Sequence, residues 1–146
     1  SGLNDIVLSI LDASDRIILV VTPDIPAIKD ARIFFDLVDA LEFQPERVML
    51  VLNRADKRGG ITAANIQDSI KHDVVAQIPL DDRAILHSIN NGVPLMISNR
   101  GLPTAQAMAD LANKVVMSFS PAAEKELPAG PKPSALKPAA RRQFGG

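Results

Sequence analysis

Three short, continuous aliphatic runs constrain this chain more than anything else in it: Ile17–Val21, Val48–Leu52 and Val74–Ile78. Each has five residues with no polar member on the first two and a single glutamine on the third. Runs this short and this uniformly apolar suit strands buried on both faces, the pattern of a parallel sheet. Helical periodicity fills the intervals. Ile28, Ala31, Phe35, Val38 and Leu41 fall on one face of a helix that starts near Pro26, where proline suits a first turn. Thr62 is placed to cap a second helix reaching about Lys71, and Asp81 or Asp82 a third ending near Asn91, with Gly92 as a left-handed terminator. Repeated strand–helix–strand order implies right-handed crossovers and a three-layer αβα architecture on a mostly parallel sheet.

The flanks extend the pattern. Leu3–Ala13 reads as a helix with Ile6, Ile10 and Ala13 on one face and Val7 and Leu11 beside them. Leu102–Ser118 reads as the last helix, where Ala105, Ala109 and Ala112 allow close approach to a sheet. Val93–Ile97 is expected to be short and extended. Three strands, with a fourth at most, make a thin sheet for a free-standing doubly wound domain, so the chain reads as part of a larger one. Residues 1–118 form the expected body. Beyond it, Pro121, Pro128, Pro131, Pro133 and Pro138 alternate with alanines and basic residues. Such a 119–146 segment cannot offset its ordering entropy by burial and is expected to be a disordered, net-positive tail.

Composition narrows the function. With 16 Lys and Arg against 17 Asp and Glu, no global basic field argues for nucleic acid. The absence of cysteine fits a reducing compartment, and no apolar run reaches the ~18 residues of a membrane span, so a cytoplasmic protein is expected. His72 and His87 stand without partners at metal-ligand spacing, and no nucleophile–base arrangement is apparent. Neither a metal site nor a catalytic residue is expected in this chain.

Ligands in open α/β sheets sit beyond the carboxyl ends of the strands. Asn53 and Arg54 follow the second run, and Pro79, Leu80 and Asp81 the third. A carboxamide offers the donor and acceptor that the N6–N7 edge of a purine requires, and a proline leaves a rigid wall for a flat ring. The plainer reading stands beside it: Asn is a good turn residue and Asp81 a good helix cap. Asp24 ends the first strand and is the acid placed to face a ligand edge, or else to cap the next helix. Arg54–Thr62 contains Gly59 and Gly60 but lacks the Gly-Lys-Ser/Thr ending of a phosphate loop.

Asp15-Arg-Ile-Ile-Leu-Val-Val-Thr-Pro-Asp24, Asp30-Ala-Arg32, Val51-Leu-Asn-Arg54, Ile78-Pro-Leu-Asp81 and Asn91-Gly-Val-Pro94 occur in one order over Leu3–Ser118. In that order and spacing they resemble the second half of the deviant-Walker P-loop ATPases of the MinD/ParA family, most closely the CpaE/TadZ branch associated with pilus assembly and polar localisation. The resemblance implies a partial P-loop NTPase fold and a dimer that binds ATP and ADP, whose nucleotide state controls positioning or protein partners. It implies that Asn53 meets the adenine edge, that Ile78–Asp81 packs around the base and that Arg54 neighbours the pocket. The family's phosphate loop, its signature lysine and its Walker B aspartate would precede Ser1, as would a receiver-like domain. Magnesium would then be bound only in the full-length parent, and this chain alone is expected not to hydrolyse ATP. MinD-type proteins end in a membrane-binding basic helix; here the prolines forbid it, and Phe144 alone gives at most weak peripheral contact. Two alternatives differ in class. One is a non-catalytic interaction module that keeps the fold. The other is a phospho-receiver signalling domain, against which no strand ends in the required lysine.

Overall fold

The computed structural model describes residues 2–56 and 60–119, with side chains from Leu8 onward. The tail beyond Phe119, the side chains of Ile6 and Val7, and Lys57, Arg58 and Gly59 lie outside the described residues. The elements run α1 (Gly2–Ala13), β1 (Ile17–Val21), α2 (Ile25–Ala40), a 3₁₀ turn (Pro45–Arg47), β2 (Val48–Ala55), α3 (Ala63–Ile70), β3 (Val74–Pro79), α4 (Asp82–Asn91), α5 (Leu95–Ser98) and α6 (Pro103–Ser118). The described strands form one parallel sheet in the order β1-β2-β3, the α/β class that the aliphatic runs imply.

One face of the sheet carries the main core. Val48, Leu50 and Leu52 of β2 and Val21 of β1 pack with Ile28, Ala31, Phe35 and Val38 of α2 and Ile66 and Ile70 of α3. Alternation sends Met49 and Val51 to the other face, where both remain buried, while Ile18 and Val20 of β1 are 43% and 56% exposed. α6 lies against β3 with Thr104 and Ala105 fully buried. Leu41 leaves the helical face expected of it: α2 ends before it, and it is the exposed C-cap. Among the described side chains of α1 the buried one is Leu11, while Ile10 is 59% exposed. Ala112 is exposed as well, although the later turns of α6 still meet β3, where the Lys114 ammonium donates to the Val75 carbonyl.

The register of β3 on β2 is broken twice. Leu50 pairs with Val74 and Val51 with Ala76, so one residue of β3 is unmatched, and every later side chain changes face. Val74 therefore joins the α2–α3 core, whereas Ile78 turns toward α6. The second break lies between Leu52 and Ala55. Instead of ending at Leu52, β2 runs on to Ala55, because the Leu80 amide donates to the Ala55 carbonyl at 3.0 Å and prolongs the ladder past Asn53 and Arg54.

Caps follow the sequence. Thr62 and Asn65 form a reciprocal capping box at α3, Asp81 caps α4 through the Ala84 amide at 3.0 Å, and Gly92 ends α4 at φ +64°. The 93–97 segment is not extended: Pro94 opens α5, a single helical turn that buries Leu95. At the opposite edge of the sheet Arg16 donates to the Ser118 carbonyl at 2.6 Å, joining the end of α6 to the start of β1. No described helix is long and apolar enough to cross a membrane.

Candidate functional site

The second register break shapes the site. Arg54 adopts φ +56°, a left-handed conformation that costs an ordinary side chain ~1–2 kcal/mol. Its amide is held by the Asn53 carboxamide oxygen at 2.9 Å, and its guanidinium pairs with Asp82 at 3.2 Å. That pair is largely exposed and contributes little, so it does not compensate the strain. A bulge bends the strand and redirects a side chain, and strain of this kind concentrates where geometry serves a site.

Asn53, Arg54, Pro79, Leu80 and Asp81 come together around one cavity of about 250 Å³ at the carboxyl edge of the sheet. Ile78 and Ile85 add apolar wall, and Thr104 and Met108 bring in α6. The polar groups differ in how they are used. The Asn53 oxygen is engaged by the Arg54 amide, while its amide nitrogen makes no hydrogen bond among the described residues. One Asp81 oxygen holds the start of α4. The Thr104 hydroxyl donates to the Pro79 carbonyl at 3.4 Å. The cavity thus offers an amide donor and carbonyl and carboxylate acceptors between apolar walls, which suits a flat heterocycle with mixed edges. The sequence pointed to the strand ends; Thr104 and Met108 were not legible, because only the packing of α6 brings them there.

Asp24 stands at the carboxyl end of β1 but does not line this cavity. Its carboxylate accepts from the Thr22 hydroxyl and from the Ala27 amide at 2.9 Å, capping α2. Those two hydrogen bonds, the hydroxyl foremost, hold its pKa below the ordinary 3.8.

A larger cavity of about 540 Å³ opens on the other face, between β2, β3 and the start of α3, and shares Pro79. Thr62 lines it, yet both its hydroxyl and its amide are committed to the capping box with Asn65. A third, of about 400 Å³, flanks α4 beside His87, whose ring meets the Asn91 amide at 3.0 Å. His72 stacks on the buried Phe35 with ring centres 3.7 Å apart, a packing contact. Among the described residues no group of three His, Cys, Asp or Glu is arranged to hold a metal ion.

No protein-family profile matches the chain. A stretch of 90 residues, 58% of the chain, is 29% identical to the septum site-determining protein MinD of Thermotoga maritima and covers 33% of it. Among solved structures, a ParA family ATPase from Chlorobium tepidum superposes with a TM-score of 0.63 at 25% identity, over 70% of this chain and 43% of that one. A chain of the MinC:MinD cell division protein complex from Aquifex aeolicus gives 0.63 at 23% identity, over 75% and 46%. MinD of Pyrococcus horikoshii, solved with Mg-ADP, gives 0.59 at 24% identity, over 70% and 41%. The chain spans about a third of the curated relative and less than half of each solved structure. Its fold is that of the MinD/ParA P-loop ATPases.

Proposed function

We propose that this chain supplies the adenine side of an ATP- and ADP-binding site in a MinD/ParA-like ATPase. One observation carries the reading: Asn53, Arg54, Pro79, Leu80 and Asp81, from two successive strand ends, line a single cavity at the carboxyl edge of a parallel sheet. In this reading the Asn53 amide nitrogen donates to a ring nitrogen, the acceptors receive an exocyclic amine, and Pro79, Leu80 and Ile85 pack on the ring. Arg54, held to Asp82, forms the rim. The residues fit a base. They offer no described set for magnesium, which enters the proposal only as the nucleotide's counter-ion in a longer parent protein.

The wider role follows the relatives. A MinD with this fold is solved with Mg-ADP and another in complex with MinC. On that footing, the body up to residue 118 is the C-terminal half of a positioning or assembly ATPase. It acts as a nucleotide-dependent homodimer that engages protein partners of a pilus or septum system. The ordered motifs from Asp15 to Pro94 favour the CpaE/TadZ branch.

Titration calorimetry of the 146-residue chain with ADP tests the site. Asn53→Ala should weaken binding by ~1–3 kcal/mol, the range for a good base contact, and lower stability by only about 1 kcal/mol through loss of its hydrogen bond to the Arg54 amide. Equal affinity in variant and parent would remove Asn53 from the assignment.

A further inference from the structure

α4 carries apolar residues on two sides. Ala84, Ile85 and Ser88 are its half-buried side. On the other, Leu86 and Ile89 are 59% and 69% exposed, and the exposed Val93 and Ile97 continue the row past the helix end. Spacings of three and four residues put Leu86, Ile89 and Val93 on one face. A helix that covered only the sheet would be polar there. Instead Asp82, Arg83, His87 and Asn90, all exposed, rim the row, and an apolar patch with a polar rim is the anatomy of a contact surface. The row is also held in place. The Val93 amide donates to the Ser88 carbonyl at 3.2 Å, and the Ser88 hydroxyl donates to the Val93 carbonyl at 2.6 Å. A surface ordered before contact loses less entropy on binding.

Position and charge say what covers it. α4 follows β3, the edge of the described sheet opposite β1, so strands added at β1 would extend the sheet away from α4 and leave the row open. The last turn of α4 has no basic residue, which leaves the negative end of the helix dipole without a cation. Arg83, in the first turn, is exposed and makes no hydrogen bond or ion pair among the described residues, whereas Asp82 beside it is engaged by Arg54. An antiparallel copy of the same helix answers both needs, and a two-fold axis makes each contact twice. We propose that the exposed face of α4 is an interface with a second copy of this chain, the two helices antiparallel, Leu86 of each against the partner's Ile89 and Arg83 of each against the partner's last turn. The contact forms without nucleotide and does not depend on the base-binding reading above.

The test is sedimentation velocity of the nucleotide-free 146-residue chain carrying Val20→Lys, which guards the β1 edge against pairing. That chain is expected to show a reversible monomer–dimer equilibrium. Adding Ile89→Lys should return it to monomer, with the far-UV circular dichroism spectrum unchanged because the side chain is exposed. Adding Arg83→Gln instead should weaken the dimer about two- to fivefold, the effect of one cation at a helix end. A second measurement needs no change at β1. The sequence has no cysteine, so Leu86→Cys and Ile89→Cys chains, mixed and oxidised, should give the mixed disulfide in preference to either symmetric one. A monomer at millimolar concentration would overturn the proposal and leave the row to a different protein. A dimer that survives Ile89→Lys, undiminished dimer strength in Arg83→Gln, or an excess of symmetric disulfides would overturn it as well.

Discussion

At the scale of single residues, the site is a conflict between backbone preference and position. Arg54 occupies a left-handed conformation that glycine or asparagine would adopt at less cost, and its ion pair with Asp82 is too exposed to repay the difference. Arg54→Gly should therefore raise stability by ~1 kcal/mol in urea unfolding. A loss of stability would show that the guanidinium matters more than the strain. The sequence made Asn53, Pro79 and Asp81 legible because each type has a recognisable use at a strand end. It could not show Arg54's conformation, since arginine is not a residue that signals positive φ. Thr104 was hidden for a different reason: a threonine early in a helix is unremarkable until its burial is seen.

At the scale of elements, helix starts and ends were readable because capping is local chemistry. Thr62, Asp81 and Gly92 do what their types predict within a few residues of themselves. Register was not readable. Nothing in Val74–Ile78 announces that one residue is skipped against β2; the skip shows only in the paired strands, where Val74 joins the α2–α3 core and Ile78 lies toward α6. The 93–97 segment is helical rather than extended for a similar reason: Pro94 can open a turn as well as end one, and α5 buries Leu95. At α2, the Asp24 cap links the element to pH. Its carboxyl pKa is depressed in the folded chain, so its contribution is complete above the unfolded value near 3.8 and is lost as pH falls through the lower folded value. Asp24→Asn keeps an N-cap but removes this titration. Acid unfolding of the variant should lose part of its pH dependence below about 3.8, and an unchanged acid profile would deny the cap that role.

At the scale of the whole molecule, the aliphatic runs determined the sheet and its parallel sense but not its boundary. β1 is an edge of the described sheet, and on the face away from α2 its Ile18 and Val20 are 43% and 56% exposed. A long apolar edge is a template for further pairing. The solved structures of this fold are more than twice the length of the stretch that matches them, and β1 is an edge of the described sheet open to further strands. Alone, the 146-residue chain should self-associate, and Val20→Lys should shift it toward monomer in sedimentation velocity. Identical association of the two would place the sticky surface elsewhere, for instance on the exposed Leu86 and Ile89 of α4.

On the proposed reading an adenine base occupies the 250 Å³ cavity lined by Asn53, Pro79 and Asp81. The most direct measurement is an amide chemical-shift map of the 146-residue chain on addition of ADP. Shifts should concentrate at Asn53–Ala55, Leu80–Asp82 and Thr104–Ala105 and diminish in Asn53→Ala. Shifts confined to Ile61–Ala63, around the larger cavity on the opposite face, or no shifts at millimolar ADP, would contradict it.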